Sequence, residues 1–183
     1  MDENLITNIM ETEISKEVVY SLSKESFGLV PGIIKEMAER SVSLAYMYLM
    51  GTKMMRRSSL TEVEINVIEL KISLLNECES CARGHSFLAK KAGLSDEDVQ
   101  SILNNRQTSN ERLNVLLRAA EYIYFSGSGP FPEIVLNYFY QEDIDEQIIF
   151  EIIGLISLKT MSNFVNNYLS SVKRRETVPI RVL

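Results

Sequence analysis

Histidine and cysteine, from which most metal and redox sites are built, are nearly absent: 183 residues hold one histidine and two cysteines. That scarcity excludes most zinc architectures. Cys78, Cys81 and His85 could supply three ligands, but a fourth would have to be a carboxylate, a water or a residue of another subunit. A covalent c-type haem is excluded because Ala82, not histidine, follows Cys81. No glycine-rich phosphate loop, short internal repeat or low-complexity tract occurs, so neither a metal nor a cofactor is expected. Long apolar runs are missing too. Leu44–Met50 and Ile148–Leu158, the latter broken by Glu151, are too short to span a bilayer and read as buried helix segments. The start, MDENLITNIMETEISKE, lacks the basic beginning and apolar core of a signal peptide. A net charge of −6 argues against nucleic acid or an anionic membrane as the main partner. The expectation is a soluble cytoplasmic protein with no nucleic-acid and no membrane partner.

What is present is helical periodicity, with almost no sustained two-residue alternation. The length suits one domain over 1–183, and 45% hydrophobic with 24% charged residues is ordinary for a globular chain. Helices are expected over Ser15–Phe27, as one or two segments from Ile33 to about Arg57, and over Glu62 to Asn76. Others are expected over Cys78 to Ala92, Ser95 to Leu103, Ser109 or Asn110 to Phe125, Glu133–Tyr140 and about Ile144 to Val172. Thr61 with Glu64, and Ser95 with Asp98, read as capping boxes, and Gly93 as a helix stop. GLVPG (28–32) and SGSGPFP (126–132) are the clearest breaks. The lead, 1–14, and the tail, 173–183, read as flexible segments, the tail alternatively as one lying across a partner subunit. The architecture expected is all-α, a compact multi-helix bundle.

The scarce residues are concentrated in one place, CESCARGH. With Cys78 taken as first in its helix, steps of about 100° put Cys81 about 60° and His85 about 20° away, on one face over two turns. Unsatisfied N–H groups and the positive dipole end favour a thiolate there. His85, one turn from Cys81, can take or give a proton near neutral pH. A disulfide across so short a loop removes little entropy from the unfolded chain, so reactivity explains the spacing better than stapling. The bland alternatives are two small buried apolar side chains and a structural histidine. Elsewhere, Met47, Met50, Met54 and Met55 read as adaptable packing. Tyr122, Tyr124 and Phe125 fit either a pocket lining or helix packing.

The segment LTEVEINVIELKISLLNECESCARGHSFLAKKAGLSDEDV, Leu60–Val99, resembles the alkylhydroperoxidase D-like, carboxymuconolactone decarboxylase-related superfamily, in its peroxidase-related branch. FGLVPGIIKEMAERS resembles that branch's entry segment, and the helix with Asn163, Asn166 and Asn167 is compatible with it. The resemblance implies an all-α fold assembling into homo-oligomers, and hydroperoxide reduction or disulfide exchange without haem or flavin. It implies Cys81 as the peroxidatic thiol and Cys78 as the resolving one, although helix position alone favours Cys78 as the more acidic. The reductant implied is an external dithiol, thioredoxin-like or lipoyl.

One departure touches the proton relay. Family members carry a glutamate twelve residues before the first cysteine, and here Asn66 stands in that place, an amide that cannot accept a proton as a carboxylate does. Glu69 and Glu62, one turn to either side, are candidate replacements, as is Glu151 in IIFEIIGLI. Each also has a plain reading: Glu62 suits the helix dipole, and Glu69 can pair with a lysine. Two functions therefore stand open: a thiol-dependent antioxidant oxidoreductase, and a binding or redox-sensing protein on the same fold with a weakened relay. Lactone decarboxylation would leave the cysteine pair unexplained.

Overall fold

The computed structural model describes residues 14–127 and 129–177, with side chains through Lys173. The lead up to residue 13 and the tail from 178 lie outside the described residues, and with them most of the segments expected to be flexible. Among the described residues there are nine helices and no strand. The chain divides into two compact units, one up to Lys53 and one from Met54 onward.

The first unit holds α1 (Lys16–Phe27), α2 (Gly32–Arg40) and most of α3 (Val42–Met55). Ser15 caps α1 by accepting the Val18 N–H, and Gly28 closes it at φ 75°, a conformation glycine adopts without steric cost. Two helices, not one, occupy 32–55. Ser41 ends α2 in an extended conformation, and its hydroxyl accepts the Leu44 N–H to begin α3.

The second unit is organised around α4 (Glu62–Leu75). Thr61 and Glu64 form the complete capping box the sequence indicates. Ile65, Ile68 and Ile72 pack with Leu116, Ala119, Ala120 and Ile123 of α7 (Glu111–Ser126), Phe139 of α8 (Glu133–Gln141), and Ile148, Ile152 and Leu155 of α9 (Glu146–Thr177). Its other side sends Val67 and Leu70 against Ala82 and Ala89 of α5 (Glu79–Lys91), Val99 and Ile102 of α6 (Asp96–Leu103), and Leu113 and Leu117 of α7. Covered on both sides, α4 is apolar around most of its circumference. Each fully buried aliphatic chain contributes about 1.5–3 kcal/mol.

Two local expectations change. Ser95 caps α6 through the Asp98 N–H, but the Asp98 carboxylate does not return to the Ser95 backbone. It accepts instead from the Ser109 N–H at 2.6 Å and from the hydroxyls of Ser95 and Ser109. The 95–98 capping box is therefore half formed, because a loop eleven residues on offers that carboxylate better donors. The last helix also runs unbroken to Thr177, beyond the expected Val172. Its stretch Glu146–Lys173 is long and apolar enough to cross a membrane by length and composition, with 33% of an apolar eighteen-residue part of it buried in the protein. In the sequence, the shortness of the unbroken apolar runs argues against such a span. Here the helix packs against α4, and its covered face carries the buried polar residues Lys159, Ser162 and Asn163, as in a core helix of a bundle.

Candidate functional site

The end of α4 sets the position of the cysteines. Glu77 takes the left-handed conformation (φ 53°), its N–H bonds the Leu74 carbonyl, and the Cys78 N–H bonds the Ser73 carbonyl at 2.9 Å. This closes α4 with the paired hydrogen bonds of a Schellman turn. Cys78 then serves as the N-cap of α5, one position earlier than the sequence reading placed it, and Cys81 is the third helical residue. Both lie where backbone N–H groups lack intrahelical partners. Cys78 and Cys81 are joined as a disulfide, and both are buried. In that state neither sulfur is a thiolate, so the pair offers no metal ligand.

Polar side chains from α9, from α7 and from the turn that ends α4 surround this helix start. Asn166 donates its amide to Cys81 Sγ at 3.2 Å. Asn167 donates to the Asn76 carbonyl at 2.8 Å, and Tyr124 donates its hydroxyl to Asn76 Oδ1 at 2.9 Å. Asn163 is fully buried. Its amide reaches the Ile72 carbonyl at 3.4 Å, whereas its Oδ1 is left without a hydrogen-bond partner. Of the three aromatic residues at the end of α7, Tyr124 therefore reaches the site through Asn76. Tyr122 packs edge-on against Phe131 and Phe139, and Phe125 is exposed.

His85 lies one turn beyond Cys81, between two helices. Its Nδ1 is 3.2 Å from Asn66 Oδ1 and 3.3 Å from Glu69 Oε2. The Asn66 amide nitrogen is committed to the Glu62 carbonyl at 2.8 Å, so its oxygen faces the imidazole as an acceptor. On the other side, Nε2 is 2.5 Å from Lys159 Nζ, and that same ammonium lies 3.8 Å from Glu69 Oε1. Glu69, Lys159 and His85 are all buried or nearly so, with side chains 7%, 4% and 12% exposed.

The electrostatics follow from that burial. Desolvation pushes the His85 imidazole down to about 4, Glu69 opposes the shift, and the Lys159 and Arg56 cations add to it. For Glu69, burial acts to raise the carboxyl. The cationic neighbours, a protonated His85 first and then Lys159, outweigh it and hold the group below its usual range. With the imidazole down at about 4 and the carboxyl below its usual range, Glu69 at neutral pH is a carboxylate beside a neutral imidazole.

Of the candidate carboxylates, only Glu69 reaches His85. Glu62 pairs with Arg56 and receives a long 3.5 Å contact from Asn66. Glu151 accepts from the Ser59 N–H and hydroxyl and from Gln147, and so fastens a turn. Sequence reasoning missed Lys159 altogether. A signal existed, for a lysine set within GLISLKTM is as anomalous in an apolar run as Glu151 is. Asn166 was noticed only as one of three compatible asparagines. Among the described residues no group of three or more histidine, cysteine or acidic side chains is arranged to hold a metal ion.

Residues 43–122 match the carboxymuconolactone decarboxylase family, which includes peroxidase-related members. The match encloses α4, the CxxC and His85, and ends before α8 and α9. No curated protein matches the chain.

Proposed function

From a family segment with its CxxC and histidine intact, we propose a thiol-dependent oxidoreductase that reduces hydroperoxides or exchanges disulfides, with Cys78 and Cys81 as the redox pair. The observation that carries this reading is the Asn166 amide directed at Cys81 Sγ. A donor fixed on one sulfur stabilises the thiolate there, and the other cysteine has only a 3.7 Å contact with Ser80 Oγ. Cys81 is therefore the attacking thiol in this proposal, as the family resemblance implied.

The Cys81 thiolate attacks the distal peroxide oxygen. The O–O bond breaks, the departing alkoxide takes a proton to become an alcohol, and Cys81 becomes a sulfenic acid. The Cys78 thiol then condenses with it, forming the disulfide and releasing water. An external dithiol, thioredoxin-like or lipoyl, reduces the disulfide to two thiols and becomes a disulfide itself. His85 manages protons in these steps with Glu69 as its carboxylate partner, in the role of the glutamate whose place in the resembling family is taken here by Asn66. We place the reaction in a soluble, cytoplasmic homo-oligomer. The exposed Phe150, Phe164 and Tyr168 on α9 support the assembly.

The test is peroxide-driven oxidation of the reduced protein, followed by thiol counting, together with thiolate absorbance against pH. The expected result is a depressed thiol pKa, disulfide formation, and loss of both peroxide consumption and dithiol exchange in Cys81→Ser. Unchanged turnover in that variant overturns the reading. Ordinary thiol pKa values without turnover would favour a binding or redox-sensing protein instead.

A further inference from the structure

α9 lies outside the family-matched segment, yet it supplies one donor to each redox group: Asn166 to Cys81 Sγ, and Lys159 to His85 Nε2. The second contact restricts the chemistry of the imidazole. An ammonium has three donors and no acceptor, so a hydrogen bond between Lys159 Nζ and a ring nitrogen requires that nitrogen to carry a lone pair. The reverse arrangement, Nε2–H donating to a neutral amine, would leave the buried Glu69 carboxylate without the ammonium 3.8 Å away, and an imidazolium in its place is opposed by burial. Nε2 is therefore unprotonated, and the ring proton sits on Nδ1. Both acceptors available to it, Asn66 Oδ1 and Glu69 Oε2, lie on that side. Asn66 is itself held in the accepting orientation by its bond to the Glu62 carbonyl.

We infer that Lys159 is a positioning residue of the thiol site, which fixes His85 as the neutral, Nδ1-protonated imidazole by donating to Nε2 from α9. The assignment builds on the function proposed above, although its principal readout does not depend on turnover. In this arrangement the positive charge acting on Nε2 of the histidine comes from Lys159. His85 gains a second proton only when the Lys159 bond to Nε2 gives way or passes its proton along. The charged groups acting on the ring are Glu69 from α4, Lys159 from α9, and Arg56 directly after α3, which is itself paired with Glu62.

His85 is the only histidine in the chain, so its ring resonances can be assigned without ambiguity. Long-range proton–nitrogen spectra of the oxidised, full-length protein report which nitrogen bears the proton. The expected result at pH 7 is a protonated Nδ1 and an unprotonated Nε2, with a titration midpoint about 4. In Lys159→Met the Nδ1-protonated form should lose part of its dominance, Asn66 and Glu69 still accepting from Nδ1, and the midpoint should rise by at least about one pH unit, since one of the two cations opposing Glu69 is gone. Lys159→Arg, which keeps a donor and a charge, should restore both. Glu69→Gln should move the midpoint the other way.

A protonated Nε2 in the wild type overturns the inference even if no variant folds. An unmoved midpoint in a folded Lys159→Met does the same. In kinetics, the acid limb of peroxide consumption against pH should move upward with the midpoint in Lys159→Met. If Cys81→Ser leaves peroxide consumption unchanged while the spectra behave as expected, the redox reading fails and the tautomer assignment stands.

Discussion

The two halves of α9 bury opposite kinds of side chain. From Ile148 to Leu155 the covered face is aliphatic, with Ile148, Ile149, Ile152 and Leu155 all buried. From Lys159 to Asn167 it is polar. Lys159, Ser162 and Asn163 are buried, and Asn166 and Asn167 bond to Cys81 and to the Asn76 carbonyl. The first half stabilises the fold by removing hydrocarbon from water. The second half meets a desolvation cost, offset where each donor finds a partner and left uncompensated at Asn163 Oδ1. One helix thus serves as core along half its length and as the wall of the thiol site along the other. Its outward face is apolar at Phe150, Phe164 and Tyr168, which is why the whole helix resembles a membrane span in composition.

The largest effect should come from the aliphatic half. Ile152→Ala should cost about 2–5 kcal/mol in denaturant unfolding while leaving the His85 spectrum unchanged. A small loss, or an altered spectrum, would break the division between the halves. Acidification should act on the polar half. The His85 pKa is depressed to about 4, so the unfolded chain binds the proton more readily. The stability associated with a neutral His85 is full above about pH 6.5 and is lost as pH falls towards about 4, on the order of 3 kcal/mol in all. Glu69, also held low, works in the same direction as pH falls through the acid range. Denaturant midpoints measured from pH 8 to 4 would show the slope, and His85→Gln should flatten it whereas Ile152→Ala should not.

Asn166→Ala should raise the Cys81 thiol pKa in the reduced protein by about one unit, because a hydrogen bond to a charged group is lost. Thiolate absorbance against pH measures this, and an unmoved curve would remove Asn166 from the site. The smallest effect is expected on the outward face. Below the concentration at which the proposed homo-oligomer forms, Phe164→Ser should change unfolding free energy by no more than about 0.5 kcal/mol. Above it the loss should grow with protein concentration, and a loss that does not would take this face out of the assembly.

Much of this was legible in the chain itself. Ser15, the Thr61–Glu64 box and the stop at Gly93 act over four residues or fewer, so local sequence suffices to specify them. The break at Ser41 was harder to see, because neither glycine nor proline marks it. Asp98 misled for a different reason: its backbone N–H is used locally, whereas its carboxylate is used at Ser109. Glu62, Asn66 and Glu69 were indistinguishable by helical spacing, since all three share a face of α4. Only the position of His85 on the neighbouring helix separates Glu69, which touches the ring, from Glu62, which turns to Arg56.

The sequence by itself determined the helices and the juxtaposition of Cys78, Cys81 and His85. Both are short-range consequences of a fixed helical repeat. Only the tertiary structure decided what faces that cluster. Lys159 is 74 residues from His85, and Asn166 is 85 from Cys81. No local periodicity encodes such separations. They are fixed when the aliphatic half of α9 packs on α4, and that packing carries the polar half of the same rigid helix up to the histidine and the cysteine pair.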